Sequence, residues 1–169
     1  DVTGLDTGFY RDGWLFHGRR RKLPATLDKD LRHIEEDDLI GFDAVVHLAE
    51  LSNDPLGQLN PDITYRINHA GSVELARKCK VAGVKRFVYA SSCGVYGSGN
   101  AGFKTEESPV DPQTAYAECK VRVERDVSEL ADENFSPTFL RNATAYGASP
   151  RMRFDIVLNN LAGHAWTTG

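Results

Sequence analysis

Two spacings of apolar residues alternate along this chain. Runs at 2–6, 43–49, 86–92 and 136–142 are short, rich in aliphatic and aromatic side chains and bounded by turn-forming residues, so they predict strands, with a shorter one near 26–28. The nearly continuous Val, Ala, His and Leu of 43–49, and Arg86-Phe87-Val88-Tyr89-Ala90-Ser91-Ser92, read as buried strands of a parallel sheet. Between strands the period lengthens. Ile63, Ile67, Ala70, Val73, Leu75 and Ala76 recur at helical spacing over about 60–82, and Gly83 follows as a C-cap. Further helices are predicted over 112–132, briefly near 34–39, and from about 153, with loops to about 25 and over 93–110. Strands alternating with helices imply parallel pairing and right-handed crossovers, hence an α/β doubly wound sheet.

The helix over 112–132 carries the chemistry. Asp111 suits an N-cap and Pro112 the first helical position, which sets Tyr116 and Lys120 at i and i+4 on one face. Val123, Val127 and Leu130 continue that face as a core stripe, so a lysine and a tyrosine interrupt a row turned inward. A lysine taken inside needs a partner, and so does a tyrosine hydroxyl. Ser91 and Ser92 close the strand before it, and ligands of open parallel sheets bind beyond those carboxyl ends. A phenol titrating at about 10 is a poor base at neutral pH, but an adjacent cation favours its ionised form. A serine hydroxyl bonded to a substrate oxygen, a tyrosine exchanging that oxygen's proton and a lysine beside the phenol suit alcohol–carbonyl redox chemistry, with the hydride passing to a nicotinamide.

These residues resemble the extended short-chain dehydrogenases/reductases, and within them the nucleotide-sugar epimerases and dehydratases. The resemblance runs through Val2-Thr3-Gly4-Leu5-Asp6, Asp30-Leu31, Val45-Val46-His47-Leu48-Ala49, Asn68-His69-Ala70-Gly71-Ser72, Ser91-Ser92-Cys93-Gly94-Val95-Tyr96-Gly97, Tyr116 to Lys120, and Leu140-Arg141 leading to Tyr146-Gly147. It implies a Rossmann-like fold, NAD as cofactor and a nucleotide sugar as substrate. By the same resemblance Ser92, Tyr116 and Lys120 are the catalytic residues, and Asp6 holds the adenosine ribose, where a carboxylate suits NAD and repels a 2′-phosphate. Asp30 and Leu31 match the pair at the adenine. Leu48, Ala49 and Glu50 match the turn along the cofactor, although relatives usually carry a small or apolar residue where Glu50 stands. Asn68 matches a cofactor-side asparagine, Thr144 a substrate contact, and Asn159 or Asn160 a contact to the nucleotide phosphates.

Departures from the family pattern narrow the reaction. The 4,6-dehydratases place an Asp-Glu pair after the catalytic hydroxyl, where this chain has Cys93 and Gly94, so dehydration is disfavoured. Cys93 is expected to be an inert thiol packed behind the strand. The Gly-rich turn that follows the first strand is absent. Gly97-Ser98-Gly99-Asn100-Ala101-Gly102 has its spacing but leads into polar loop, not helix. The expectation is therefore an internal piece of a longer protein, lacking the first strand and helix and most of the C-terminal lobe: one partial domain over 1–169, with the substrate-binding region starting at about 143. Alone, it is expected to be poorly stable, unable to hold NAD well and inactive.

Composition closes off other classes. Of 169 residues, 41% are hydrophobic and 26% charged, ordinary for a globular domain. The net charge of −4 argues against nucleic acid, and the basic run Arg19-Arg20-Arg21-Lys22 reads as solvated loop. No apolar stretch reaches membrane-spanning length and the start has no signal-peptide pattern, so a cytoplasmic location is expected. Three cysteines without CxxC spacing and five unclustered histidines indicate neither a disulfide frame nor a metal site. The resulting expectation is an NAD-dependent 4-epimerase, with a homodimer for the full-length parent. An alcohol or sugar-nucleotide dehydrogenase or reductase is the alternative using the same site, and a non-catalytic NAD-binding scaffold the alternative of another class.

Overall fold

The strand Arg86–Ser92 (β4) organises the larger part of the molecule. Its residues alternate between a packed and a partly open face, with Phe87 and Tyr89 fully buried. In the computed structural model, which describes residues 1–16, 24–52, 54–98 and 102–169 (without the side chains of 54–56), β4 is the middle strand of a parallel sheet. Ala44–His47 (β3) lies on one side, with His47 opposite Tyr89, and Ser136–Asn142 (β5) on the other, with Asn142 opposite Ser92. Parallel neighbours require crossovers. The first runs through Asp54–Leu59 (α1), Pro61–Thr64 (α2), a wider π turn over Tyr65–Gly71 and Ser72–Val81 (α3); the second is Ala115–Ser128 (α4). Val123 and Val127 of α4, Cys79 and Ala76 of α3, and Phe135 complete the core against Phe87 and Tyr89.

This unit covers Asp30–Ala143. A second unit combines Asp1–Lys29 with Thr144–Gly169. There Thr3–Asp6 (β1) pairs in parallel with Ala25–Asp28 (β2), Arg11 bridges to Asp28 at 3.2 Å, and the Arg151 guanidinium stacks 3.2 Å from the Tyr10 ring centroid. Its helix Val157–Thr168 (α5) has no buried residue. Both pairings are those that the order 3-2-1-4-5-6 assigns to strands 3-2 and 4-5-6. β1 and β3 each keep one edge without a strand partner among the described residues.

Several sequence expectations are corrected. β3 is shorter than 43–49 and only His47 of it is buried, because helices cover one face of the sheet and β3 is an edge strand. The helix over 60–82 is interrupted by the π turn. The helix near 34–39 is a pair of 3₁₀ turns, Leu31–His33 and Glu36–Asp38, and the last helix begins at Val157. Most consequential for the site, α4 starts at Ala115, not 112. Thr114 is its N-cap, accepting the Ala117 N–H at 3.1 Å, while the Asp111 N–H is held by the Val95 carbonyl at 2.8 Å. Gly97, at φ +68°, lets that loop close, since a Cβ there would strike the Asp111 carbonyl. The run Arg19 to Lys22, and Gly99 to Ala101 of the decoy glycine motif, lie outside the described residues.

Candidate active site

Strand alternation sends the two terminal serines of β4 to opposite faces. Ser91 points into the packed side, 3% exposed, and donates to Glu124 Oε1 at 2.5 Å, where Arg141 also binds the Glu124 carboxylate. Ser92 is half-buried. Its Oγ accepts the Gly94 N–H at 3.1 Å and caps the 3₁₀ turn Cys93–Tyr96, which leaves its own O–H proton to donate. A Cβ built on Gly94 would sit 3.3 Å from Ser92 Oγ and 3.9 Å from the Ala117 Cβ, so Gly94 lies close to both the Ser92 hydroxyl and the first turn of α4.

From that turn come the other two residues. Tyr116 is half-buried in the first turn and Lys120 lies one turn on, with its Nζ 5.1 Å from the Tyr116 ring centroid and 4.5 Å from that of Tyr89. The ammonium donates to the Ala90 carbonyl at 2.5 Å. It is also ion-paired with Glu50 Oε2 at 2.5 Å, and the two side chains are 4% and 3% exposed. That contact has the distance of a bridge without aligned hydrogen-bond geometry, since Oε2 otherwise has no hydrogen-bond partner. Glu50 Oε1 accepts from Tyr89 Oη at 2.5 Å and from Ser72 Oγ at 3.4 Å. His47 Nε2 lies 2.7 Å from Ser72 Oγ, and with Ser72 donating to Glu50 the neutral imidazole donates to Ser72.

The electrostatics follow from burial. Burial pushes the Glu50 carboxyl above its ordinary value of 4.5, against the opposing pull of Lys120, Tyr89 and Ser72. Burial, with the Lys120 charge beside it, holds His47 down at about 4, so it is neutral at physiological pH. Tyr89 is driven up by burial and by Glu50. The buried thiols of Cys79 and Cys119 are both pushed up to about 12, again by burial first.

The remaining sequence-derived positions fall as follows. Asn68 is fully buried and its amide is engaged at both ends by Leu51, accepting the N–H and donating to the carbonyl at 2.9 Å each, so it holds the turn after β3. That turn presents Leu48, 72% exposed, and half-buried Ala49. Asp30 caps the Leu31–His33 turn and binds Arg32, which holds its carboxyl down at about 2; Leu31 is buried. In the other unit, exposed Asp6 accepts the Gly8 N–H at 2.5 Å, Thr144 is exposed, and Asn159 ties the Gly147 N–H to the Arg153 carbonyl. Asn160 donates to the Phe154 carbonyl at 3.3 Å. Cys93 is exposed, not packed behind the strand, because the 3₁₀ turn carries it into a cleft of about 830 Å³ lined also by Tyr96, Lys104, Glu124, Arg141 and Asn142. Sequence reasoning did not anticipate Tyr89, Ser72 or Glu124 at the site; the signal available was a lysine on a core stripe with no carboxylate assigned to it. Among the described residues no group of three or more His, Cys, Asp or Glu is arranged to hold a metal, and no helix is long and apolar enough to cross a membrane.

Residues 13–165 match the profile of the NAD dependent epimerase/dehydratase family. The chain is 36% identical over 111 residues to UDP-glucose 4-epimerase 4 of Oryza sativa subsp. japonica, covering 64% of this chain and 30% of that protein. Against the UDP-glucose 4-epimerase of Bacillus subtilis (strain 168) it is 31% identical over 155 residues, 90% of this chain and 42% of that one. Among solved structures it matches TunA, an NAD-dependent NDP-hexosamine 5,6-dehydratase involved in tunicamycin biosynthesis, with a TM-score of 0.80 at 26% identity, over 99% of this chain and 54% of that one. It matches MoeE5 in complex with UDP-glucuronic acid and NAD with a TM-score of 0.79 at 27% identity, over 97% and 52%. The fold is thus the Rossmann-like α/β fold expected from the sequence, and the chain spans about half or less of the length of these relatives.

Proposed function

The chain belongs to the NAD-dependent epimerase/dehydratase family, and from that membership we propose that it carries the proton-transfer site of an NAD-dependent nucleotide-sugar 4-epimerase. The observation behind this reading is the placement of Tyr116 on the Lys120 ammonium, 5.1 Å from ring centroid to Nζ, at the strand end where Ser92 offers its hydroxyl. The residues present suit a dinucleotide: Leu48 stands 72% exposed beyond β3, on a turn that Asn68 keeps rigid, and offers apolar surface beside the hydroxyls. Leu48, Ala49, Asp30, Leu31, Tyr116 and Lys120 would hold NAD, with Glu50 and Asn68 fixing Lys120 and the turn. We likewise assign Asp6 to the adenosine ribose, and Thr144 and Asn159 to the substrate, from about residue 143 onward. When bound, NAD supplies the hydride acceptor, and later the donor, for the sugar carbon.

The chain's own residues handle the proton. Ser92 donates a hydrogen bond to the sugar hydroxyl oxygen while accepting from Gly94, which fixes the direction of its proton. Tyr116, in its phenolate form, takes the proton from that oxygen and returns it when the carbonyl is reduced from the opposite face. The adjacent cation favours the phenolate, which is what a phenol needs to act as a base near neutral pH. Because the proton and the hydride both return, the cycle is redox-neutral. Buried Lys120, fastened to the Ala90 carbonyl, is held where its charge acts on the phenol throughout.

The test is an assay of the full-length parent protein on a panel of UDP-sugars. Epimerised product without net NADH is expected, and Tyr116→Phe should lower turnover by about 10²- to 10⁴-fold while NAD binding is retained. Undiminished turnover in Tyr116→Phe overturns the assignment; stoichiometric NADH would replace epimerisation by dehydrogenation at the same site.

A further inference from the structure

Glu50 sits in the turn three residues after β3, with its side chain only 3% exposed. A charge placed there is costly unless another group answers it. Its two oxygens divide the work: Oε1 takes the hydroxyls of Tyr89 and Ser72, and Oε2 meets the Lys120 ammonium at 2.5 Å. That same ammonium is the cation beside the Tyr116 ring. Tyr116 and Glu50 therefore share one positive charge. Two opposite charges in close contact act on a third group as a dipole, whose field is weaker and shorter-ranged than that of the cation alone.

We propose that Glu50 is a positioning residue that governs Tyr116 through Lys120: ionised, its carboxylate pins the ammonium and offsets its charge, and protonated, it leaves the full field of the ammonium on the phenol. This rests on the reading of Tyr116 as the acid/base of the site. The groups facing Glu50 are Tyr89 from β4, the Ser72 hydroxyl from α3, and Lys120 and Cys119 from α4, with His47 of β3 bonded to Ser72 and Tyr116 on the far side of the Lys120 ammonium. As pH falls, Glu50, raised above 4.5, takes up its proton before His47, which waits until about 4. Tyr89 and Cys119 are both driven upward and stay protonated. The proton on Glu50 is thus the one that changes the charge around Lys120 on the acid side.

The deciding experiment is an ultraviolet tyrosinate titration of the protein without NAD or sugar, with Tyr116→Phe subtracted as a blank. Glu50→Gln keeps the shape and the acceptor for Tyr89 but removes the charge. The Tyr116 signal should move to lower pH in Glu50→Gln and return toward the wild-type midpoint in Glu50→Asp; coincident midpoints in all three overturn the proposal. Should Glu50→Gln fail to fold, an infrared titration of protein carrying carboxyl-labelled glutamate, with equally labelled Glu50→Asp subtracted, isolates the Glu50 carboxyl from the other glutamates of the chain. A carboxylic-acid band persisting above the ordinary value of 4.5 supports the proposal, and a carboxylate at every pH where the protein is folded overturns it. With no substrate or cofactor present, failure here leaves the Tyr116→Phe assay untouched, and failure of that assay leaves this titration readable.

Discussion

Lys120 is the side chain on which the site turns, because three separate groups depend on its charge: the Ala90 carbonyl, the Glu50 carboxylate and the Tyr116 ring. Lys120→Met strands a buried carboxylate and should cost about 3–5 kcal/mol in urea unfolding at neutral pH. Adding Glu50→Gln should restore most of that loss; a purely additive double variant would show that the two residues do not interact. The pH dependence has a definite sign. Glu50, raised in the fold, contributes stability that is present below its unfolded value of 4.5 and lost as pH rises through its folded value. His47, lowered to about 4, does the reverse: between 6.5 and about 4 the unfolded chain takes up the proton first, and stability falls as pH falls. The two oppose each other in that window, so Glu50→Gln should make acid destabilisation steeper there, and an unchanged slope would contradict the assignment. From the sequence, Tyr116 and Lys120 on one face were legible because helical spacing is local. Glu50 stood out only as a departure from the family pattern, since its meeting with Lys120 depends on how β3 and α4 pack, which no local spacing encodes.

At the scale of elements, the start of α4 decides where Tyr116 sits. With Thr114 as N-cap the tyrosine lies in the first helical turn, near the loop that carries Ser92 and Gly94. Thr114→Ala should cost about 1 kcal/mol in denaturant unfolding, whereas Asp111→Ala should leave the helix unaffected; the opposite ranking would return the cap to Asp111. Sequence favoured Asp111-Pro112 because both are good starters, and what overrode them was the tie between the Asp111 N–H and Val95, closed over Gly97. A comparable override breaks the long helix before β4. Asn68, fully buried in the π turn, reaches back to both polar groups of the Leu51 peptide. Asn68→Ala leaves those groups without partners and should lower stability by about 1–3 kcal/mol for each one left unsatisfied. Helical periodicity ran through both places, and only the long-range hydrogen bonds distinguish them.

For the molecule as a whole, strand order was legible and burial was not. The alternation of elements fixes parallel pairing wherever a sheet forms, but whether a strand is covered on one face or two depends on which helices reach it. In the three-stranded sheet, Val46, Val88, Ala90 and Leu140 share the face opposite Phe87 and Tyr89, and Val46 is 61% exposed. Contiguous apolar surface of this kind binds hydrophobic dyes. The polypeptide 1–169 should therefore enhance the fluorescence of such a dye, and Val46→Thr with Leu140→Thr should reduce it; no reduction would mean that this face is covered in solution. Above these scales stands one claim, that Ser92 and Tyr116 act on a single substrate oxygen beside Lys120. A crystal structure of the protein with NAD and a UDP-sugar tests it most directly. The account predicts Ser92 Oγ and Tyr116 Oη both within about 3.2 Å of the same sugar oxygen; a bound sugar touching only one of them, with the other too far even for a bridging water, would contradict it.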